Sequence, residues 1–381
     1  MIRLITSGES HGRALSVIIE GIPAGLVIDT EFINNELARR QKGYGRGERM
    51  KIESDKAEFL SGIRFGETIG SPVTIMIENK DFENWKDLMK CKKGSTNKKI
   101  TSPRPGHADL SSLLKYGRED IRDILERASA RETAARVAAG AICKLFLAEF
   151  GIKIYSHTLS IGKIRIKEPT KGLDKIENTP LRCTDPKAEK EMIRSIDDAK
   201  EKGDSLGGVS EIVAKGVCSG IGSYTNFDQR LDAAIAHSMM SIPSVKGVEI
   251  GDGIENTKKY GSEVHDEIFY SEGKGYFRST NRAGGIEGGV SNGEDIAVRI
   301  YLKPIPTLAS PLQSVDIKSK KKTLAQKERA DVCVVPAAGV IAESMIAYVL
   351  SDAFIRKFGA DCLKDIKANY HYYIKRIENA R

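Results

Sequence analysis

Strand and helix signals are interleaved along this 381-residue chain, which places it in the α/β or α+β class. Two observations carry that reading. Residues 15–20, 73–78, 153–161, 209–216, 245–250 and 296–302 carry β-branched residues or period-two alternation and read as strands. Helical periodicity bounded by capping residues lies between them. No Pro/Ser-rich linker divides the sequence, so residues 1–381 are expected to form one domain. In chain order, Asp29 is placed to cap a helix running to about Arg40, with Phe32, Ile33 and Leu37 on one side. A long helix is expected over 129–150, where Ala134, Val137, Ala138, Ala141, Ile142 and Leu145 form one stripe and Gly151 suits the end. Its Ala-rich first half lets another backbone come close. Asp185-Pro186 supplies an N-cap and an N1 proline to the next helix, which Gly203 ends. Residues 227–240 read as a further amphipathic helix, and 337–358 as the last long one, closed by Gly359. Ala138-Ala139-Gly140-Ala141-Ile142 is echoed by Ala337-Ala338-Gly339-Val340-Ile341, which permits two analogous halves.

Composition narrows the function classes. Apolar residues at 40% and charged residues at 29% exclude wholesale disorder. No run reaches ~18 uninterrupted apolar residues, the length a membrane span needs; the best candidate, 332–350, contains Pro336 and Glu343. The N-terminal residues carry charges and no small-residue cleavage pattern, so no signal peptide is expected. Six scattered cysteines without a Cys-x-x-Cys pair suit a reduced, cytoplasmic protein with no metal site. The net charge of +8 fits either a nucleic acid or a polyanionic small molecule. Aromatic residues make up only 6% of the chain, which counts against base-stacking RNA recognition. The lysines between 86 and 99 read as a solvated loop.

Several short segments carry chemistry. Gly8-Glu9-Ser10-His11-Gly12 bends sharply and offers backbone N–H groups to an anion, together with a histidine, a residue type suited to holding or releasing a proton. The stretch from Arg39 to Arg49 holds five cations and three glycines, so guanidiniums such as Arg40, Arg46 and Arg49 can converge on phosphate or carboxylate. Arg104-Pro105-Gly106-His107-Ala108-Asp109 presents Arg104 and His107 on one turn, with Asp109 placed to orient a neighbour or cap the next helix. Arg127 and Arg131 lie four apart, which places them on one helix face, with Ser129 as the N-cap. The glycine-rich loop from Asn281 to Gly293 lacks the dinucleotide-binding pattern but lets backbone approach a flat ring or a phosphate. Lys303-Pro304-Ile305-Pro306-Thr307 is a rigid segment led by a cation. Arg329 and Asp331 precede a proline-started helix. Each segment alone is equally a turn or an ion pair.

Taken together, Gly8–Gly12, Arg104–Asp109, Ser-Ala-Arg-Glu-Thr-Ala-Ala-Arg-Val from Ser129, Val-Lys-Gly-Val-Glu-Ile-Gly-Asp-Gly from Val245, Ala283–Gly293 and Arg329–Pro336 resemble chorismate synthase, in order and spacing, from residue 6 to about 350. The resemblance implies an α+β fold, a β-α-β sandwich of chorismate synthase type with internal pseudo-symmetry, assembled as a homotetramer. It implies a lyase that eliminates phosphate from 5-enolpyruvylshikimate 3-phosphate to give chorismate, the last step of the shikimate route, with reduced FMN and no net redox change. By resemblance, His11 donates a proton to the leaving phosphate, His107 serves the reduced flavin ring, and Asp331 assists proton removal. Ser10, Arg40, Arg46, Arg49, Arg104 and Arg131 are the expected substrate contacts. Arg127, Ala128, Ser129, Pro243, Ser244, Gly288, Lys303, Pro304, Ile305, Pro306, Thr307 and Arg329 are the expected FMN contacts, although relatives often carry Asn-Ala where Pro243-Ser244 stands. Arg40 and Arg46 also match positions that meet NADPH in members that use it; here reduced FMN is expected from an external flavin reductase. A flavin reductase using the same loops and a basic RNA-binding module remain as alternatives, marked by net NADPH consumption and by steep salt dependence respectively.

Overall fold

Along Ala-Leu-Ser-Val-Ile-Ile-Glu (Ala14–Glu20), Leu15, Val17 and Ile19 are buried while their neighbours are half-covered. Such a strand needs a second layer against its apolar face. The computed structural model describes residues 1–47, 54–167, 173–273, 275–328 and 331–379. Arg49 and Arg329 therefore lie outside the described residues. The first sheet contains β1 (Arg3–Ser7), β2 (Ala14–Glu20), β3 (Glu58–Ser61) and β4 (Val73–Glu78), antiparallel in the order β1-β2-β4-β3. Leu15, Val17 and Ile19 of β2 face Ile77, Ile75 and Val73 of β4, so the buried residues of both strands share one side. The second sheet contains β5 (Lys153–Ile161), β6 (Ile164–Arg165), β7 (Gly208–Lys215), β8 (Val245–Ile250) and β9 (Ile296–Leu302), antiparallel in the order β8-β9-β7-β5-β6.

The principal helices are α1 (Thr30–Gln41), α2 (Asp109–Tyr116), α3 (Thr133–Ala148), α4 (Pro186–Glu201), α5 (Leu231–Met240), α6 (Val335–Phe358) and α7 (Leu363–Asn379). Asp29 accepts from Phe32 N at 2.9 Å, and Asp185 accepts from Lys187 N and Ala188 N, so both expected caps form. Helix α3 packs on the first sheet, α6 packs on the second, and the two helices pack on each other. This is a β-α-β sandwich. Its halves repeat one topology. The first half runs β1, β2, α1, β3, β4, α3, with α2 inserted before α3; the second runs β5, β7, α5, β8, β9, α6, with β6 and α4 inserted after β5. In each, the four strands lie in the spatial order first, second, fourth, third. The echoed glycines mark where the long helices meet neighbours: a Cβ on Gly140 would lie 2.3 Å from Ser344 Cβ, and one on Gly339 would lie 2.7 Å from Ser156 Oγ.

Some expectations change. Almost every side chain of α3 is buried, not one stripe, because α3 is covered by a sheet and by other helices. The segment 227–240 breaks at Arg230, whose extended backbone separates a 3-10 turn (Phe227–Gln229) from α5. Helix α6 begins at Val335 with Pro336 in its first turn. It is not the last long helix: α7 follows, and its Tyr370 and Tyr373 pack on Phe354 and Phe358. Helix α6 is also long and apolar enough, by composition, to cross a membrane, but it is mostly buried inside this fold.

Candidate active site

The chemistry-bearing segments are loop and helix-end residues, and the fold brings them to one place. The β1–β2 turn supplies Ser10 and His11. The end of α1 and the chain after it supply Arg40, Arg46 and Gly47. Trp85, Arg104 and His107 come from the connection between β4 and α2, and Ser129, Ala130, Arg131 and Thr133 from the entry to α3. Ile242, Pro243 and Ser244 follow α5, Ile305 and Thr307 follow β9, and Asp331 to Ile341 open α6. They line one pocket with about 1350 Å³ of empty space, its mouth included. Its lining also includes the apolar Leu125, Ile242, Pro243, Ile305, Val334, Ala337, Ala338 and Ile341.

Local sequence explains the turn that carries His11. Gly8 has a φ of 99°, and a Cβ there would fall 2.3 Å from Ala14 O, so only glycine fits. Asn79 donates its amide to Glu9 O and Gly12 O at 3.1 and 2.8 Å, pinning both sides of the bend. His11 Nδ1 lies 3.0 Å from each carboxylate oxygen of Glu126, and the His11 ring stacks on Trp85 with 3.9 Å between centroids.

The arginines are pre-paired. Arg131 donates to Asp55 Oδ1 and Oδ2 at 2.6 and 2.7 Å and to Asn79 Oδ1 at 2.9 Å; Arg40 donates to Asp55 Oδ2 at 2.8 Å. Burial pushes the Asp55 carboxyl up, but Arg40 and Arg131 outweigh it and hold the group below the usual carboxylate range. Arg40 shows the opposite balance: burial, helped by the like charges of Arg131 and Arg46, lowers its guanidinium to about 10 despite Asp55. Arg104 donates to Asp109 through its backbone N (3.0 Å), Nε (2.8 Å) and Nη2 (3.1 Å), and to Thr307 Oγ1 through Nη1 (2.9 Å). Asp109 also meets His107 Nδ1 at 2.6 Å. Its carboxyl is held far below the usual range: burial raises it, and hydrogen bonds from His107 and Arg104 outweigh that. Asp109 thus orients both neighbours and does not cap α2, which it begins. Asp331 accepts from Gly47 N at 2.6 Å and faces Arg46 at 3.5 Å.

Of the expected residues, Ser10, His11, Arg40, Arg46, Arg104, His107, Ser129, Arg131, Pro243, Ser244, Ile305, Thr307 and Asp331 line the pocket. Arg127, Ala128, Gly288, Lys303, Pro304 and Pro306 do not. Arg127 and Arg131 also do not share a helix face, because the chain between them is a short turn (Ala130–Glu132) capped by Ser129. Arg127 instead donates to Gly8 O (3.0 Å) and Thr6 O (2.9 Å), tying down the β1–β2 turn. Gly288 sits in the hairpin of Ile286–Glu287 and Val290–Ser291, whose Val290 bridges Gly222. Lys303 donates its ammonium to Gly106 O and its backbone N to Ser244 O, joining two walls of the pocket. Ser244 itself has a left-handed φ of 71°, a conformation non-glycine residues hold only under tertiary constraint. The sequence reading missed Asp55, Trp85 and Glu126; Trp85, the chain's single tryptophan, was the one with a visible signal. Among the described residues no His, Cys, Asp or Glu cluster could hold a metal ion.

Comparison with known proteins points to one family. The family model described as chorismate synthase matches residues 2–355. The chain is 52% identical over 377 residues to the chorismate synthase of Alkaliphilus metalliredigens, covering 98% of this chain and 99% of that protein. It is also 52% identical over 393 residues to the one from Aquifex aeolicus, covering 99% and 98%. A crystal structure of chorismate synthase superposes with a TM-score of 0.81 at 43% identity, covering 99% of this chain and 98% of that one. Sequence, fold and pocket therefore lead to one assignment: the chain belongs to the chorismate synthase family.

Proposed function

We propose that the pocket binds 5-enolpyruvylshikimate 3-phosphate and reduced FMN together, for the family's reaction: the 1,4-trans elimination of phosphate that yields chorismate. One observation carries the reading. Two histidines, four arginines and Asp331, from segments spread over more than three hundred residues, face one pocket. The substrate has one phosphate and two carboxylates. Buried anions of that number need fixed cations nearby. Arg40 and Arg131 converge on Asp55 beside Arg46, and Arg40 Nε is buried without a hydrogen-bond partner among the described residues. Such a group suits an anionic oxygen.

The lining also fits the flavin by the chemistry of its donors. The apolar lining residues, among them Ile242, Ile305, Val334 and Ile341, suit a flat ring, and the hydroxyls of Ser129, Ser244 and Thr307 suit its polar edge or phosphate. Reduced FMN, when bound, would supply an electron-rich ring. The chain's own residues do the rest. Arg40, Arg46 and Arg131 hold the substrate's anionic groups, and the buried guanidiniums stabilise charge as phosphate leaves. His11 delivers a proton to the departing phosphate oxygen. His107, fixed by Asp109, hydrogen-bonds the ring, and Asp331, fixed by Gly47 N, helps take up the substrate proton. Arg40 and Arg46 are assigned to substrate in preference to NADPH, because both face the interior of this pocket.

A homotetramer, a cytoplasmic location and reduced FMN supplied by a separate flavin reductase complete the reading. The exposed Phe269, Tyr270 and Tyr276 on the hairpin of Ile268–Ser271 and Gly275–Arg278 offer an assembly apolar surface to bury. The test is anaerobic incubation with the enolpyruvyl substrate and dithionite-reduced FMN, following chorismate absorbance. Folded protein that forms no product overturns the proposal. His11→Ala and His107→Ala are each expected to lower turnover by about 10–1000-fold; parental rates in both would withdraw their roles.

A further inference from the structure

We infer that Glu126 is the positioning residue of His11: its carboxylate holds the imidazole by Nδ1 and leaves Nε2 as the nitrogen that exchanges a proton in the pocket. The inference rests on the reading of His11 as the proton donor and adds the group that aims it.

Five hydrogen bonds and a ring stack converge on this pair. Glu126 Oε1 and Oε2 each lie 3.0 Å from His11 Nδ1. Oε2 also accepts from the His11 backbone N at 2.8 Å, so the same carboxylate fixes main chain and ring. Oε1 accepts from Arg122 Nη1 at 3.0 Å, which stops the carboxylate turning away. The Glu126 backbone oxygen accepts from Ser10 N at 2.9 Å. Trp85 then stacks on the ring at 3.9 Å and 25°, and the Arg122 guanidinium lies 4.9 Å from the centre of the Trp85 ring. Arg122 therefore touches both groups that hold His11. A ring flip would turn carbon Cδ2 towards the carboxylate in place of Nδ1 and lose that contact.

The protonation follows from the donor inventory. An ionised carboxylate only accepts, so the nitrogen facing it must carry hydrogen. Burial alone would raise the Glu126 carboxyl, but its bonds to His11, with Arg122 adding to them, hold it below the usual range, so it is ionised at neutral pH. Nδ1 is thereby committed as a donor, and proton exchange falls to Nε2. Histidines oriented through one nitrogen to act with the other follow the same logic.

The test uses full-length protein labelled with [15N]histidine, with His11 assigned by the signal missing in His11→Asn. Long-range 15N–1H correlation is expected to show hydrogen on Nδ1 of His11 in the parent. In Glu126→Gln the carboxamide can also donate, and the His11 signals are expected to shift towards the Nε2–H tautomer. Turnover is expected to fall about 10–100-fold with substrate KM within about twofold, and Glu126→Asp, which keeps the carboxylate, is expected to recover part of the rate. An unprotonated Nδ1 in the parent overturns the inference, and this result does not depend on any variant folding. Parental turnover in Glu126→Gln, beside a slow His11→Asn, overturns Glu126 alone. Parental turnover in His11→Asn instead overturns the acid role on which the inference stands.

Discussion

Changing Glu343 to glutamine removes a negative charge from the middle of the helix layer. The side chain is fully buried in α6 and accepts from Arg39 (2.9 and 3.0 Å), Lys144 (2.5 Å), Arg182 (2.8 Å) and Ser156 Oγ (2.6 Å). Glu36 pairs with Arg39 and Lys144, and Glu177 with Arg39 and Arg182. Three cations and three carboxylates thus balance among the described residues of this cluster. Burial pushes the Glu343 carboxyl up, but Lys144, Arg39 and Arg182 outweigh it and hold it well below the carboxylate range. Glutamine keeps the shape, offers one accepting oxygen, and turns N–H groups towards donors. Breaking a buried ionic contact from one side costs about 3–5 kcal/mol. The individual bonds do not add, so the cluster is treated as one unit. Against a typical net stability of about 5–15 kcal/mol, the loss is large. Urea unfolding followed by far-UV circular dichroism and by the single tryptophan, Trp85, measures it. Adding Lys144→Met to Glu343→Gln removes the surplus cation and is expected to recover about 1–3 kcal/mol. A Glu343→Gln protein within about 1 kcal/mol of the parent, with no coupling to Lys144, would refute the argument that charge balance holds this layer together.

Gly140→Ala should destabilise more than Gly339→Ala in the same assay. The first Cβ meets the Ser344 backbone, with Cα and O both at 2.7 Å, whereas the second meets hydroxyls of Ser156 and Ser210 that can rotate. A cost of about 1–3 kcal/mol is expected for Gly140→Ala, and equal costs would contradict the helix contact described. Asp109→Asn removes the charge and one of the two accepting oxygens that Arg104 and His107 share, and turnover is expected to fall about 10–100-fold; steady-state kinetics showing the parental kcat would count against that orienting role. Acid should also destabilise the protein. Asp55, Asp109 and Glu343 have folded pKa values below their unfolded values of about 4. Their contribution is complete above that value and drains as pH falls through it towards the folded values. The urea midpoint should therefore decline below about pH 5; a midpoint that rises on acidification would contradict the sign.

Much of the scaffold was legible along the chain because it depends on near neighbours. Period-two apolar residues place β4 at Val73–Glu78 and β9 at Ile296–Leu302, with bounds identical to those expected. Asp29 and Asp185 cap helices through N–H groups two or three residues away, a contact that spacing alone announces. Short edge strands such as β1 and β3 carry little periodic signal, and α7 continues after a glycine that reads as a terminus, so these were missed. The motif set was enough to indicate the family, since the order of rare residue combinations survives without knowledge of any contact.

Which charges meet was decided only by the tertiary structure. The arginines read from sequence as cations available to a ligand; the fold gives Asp55 to both Arg40 and Arg131. Glu126 reaches His11 across 115 residues of chain, and Lys144 reaches Glu343 across 199. Sequence by itself determined the periodicities, the caps and the residue types delivered to the pocket, because those follow from interactions within a turn or two of chain. Partner choice was left to packing, because a buried charge is settled by whichever opposite group the sheets and helices bring within about 3 Å, and that distance bears no relation to separation along the chain.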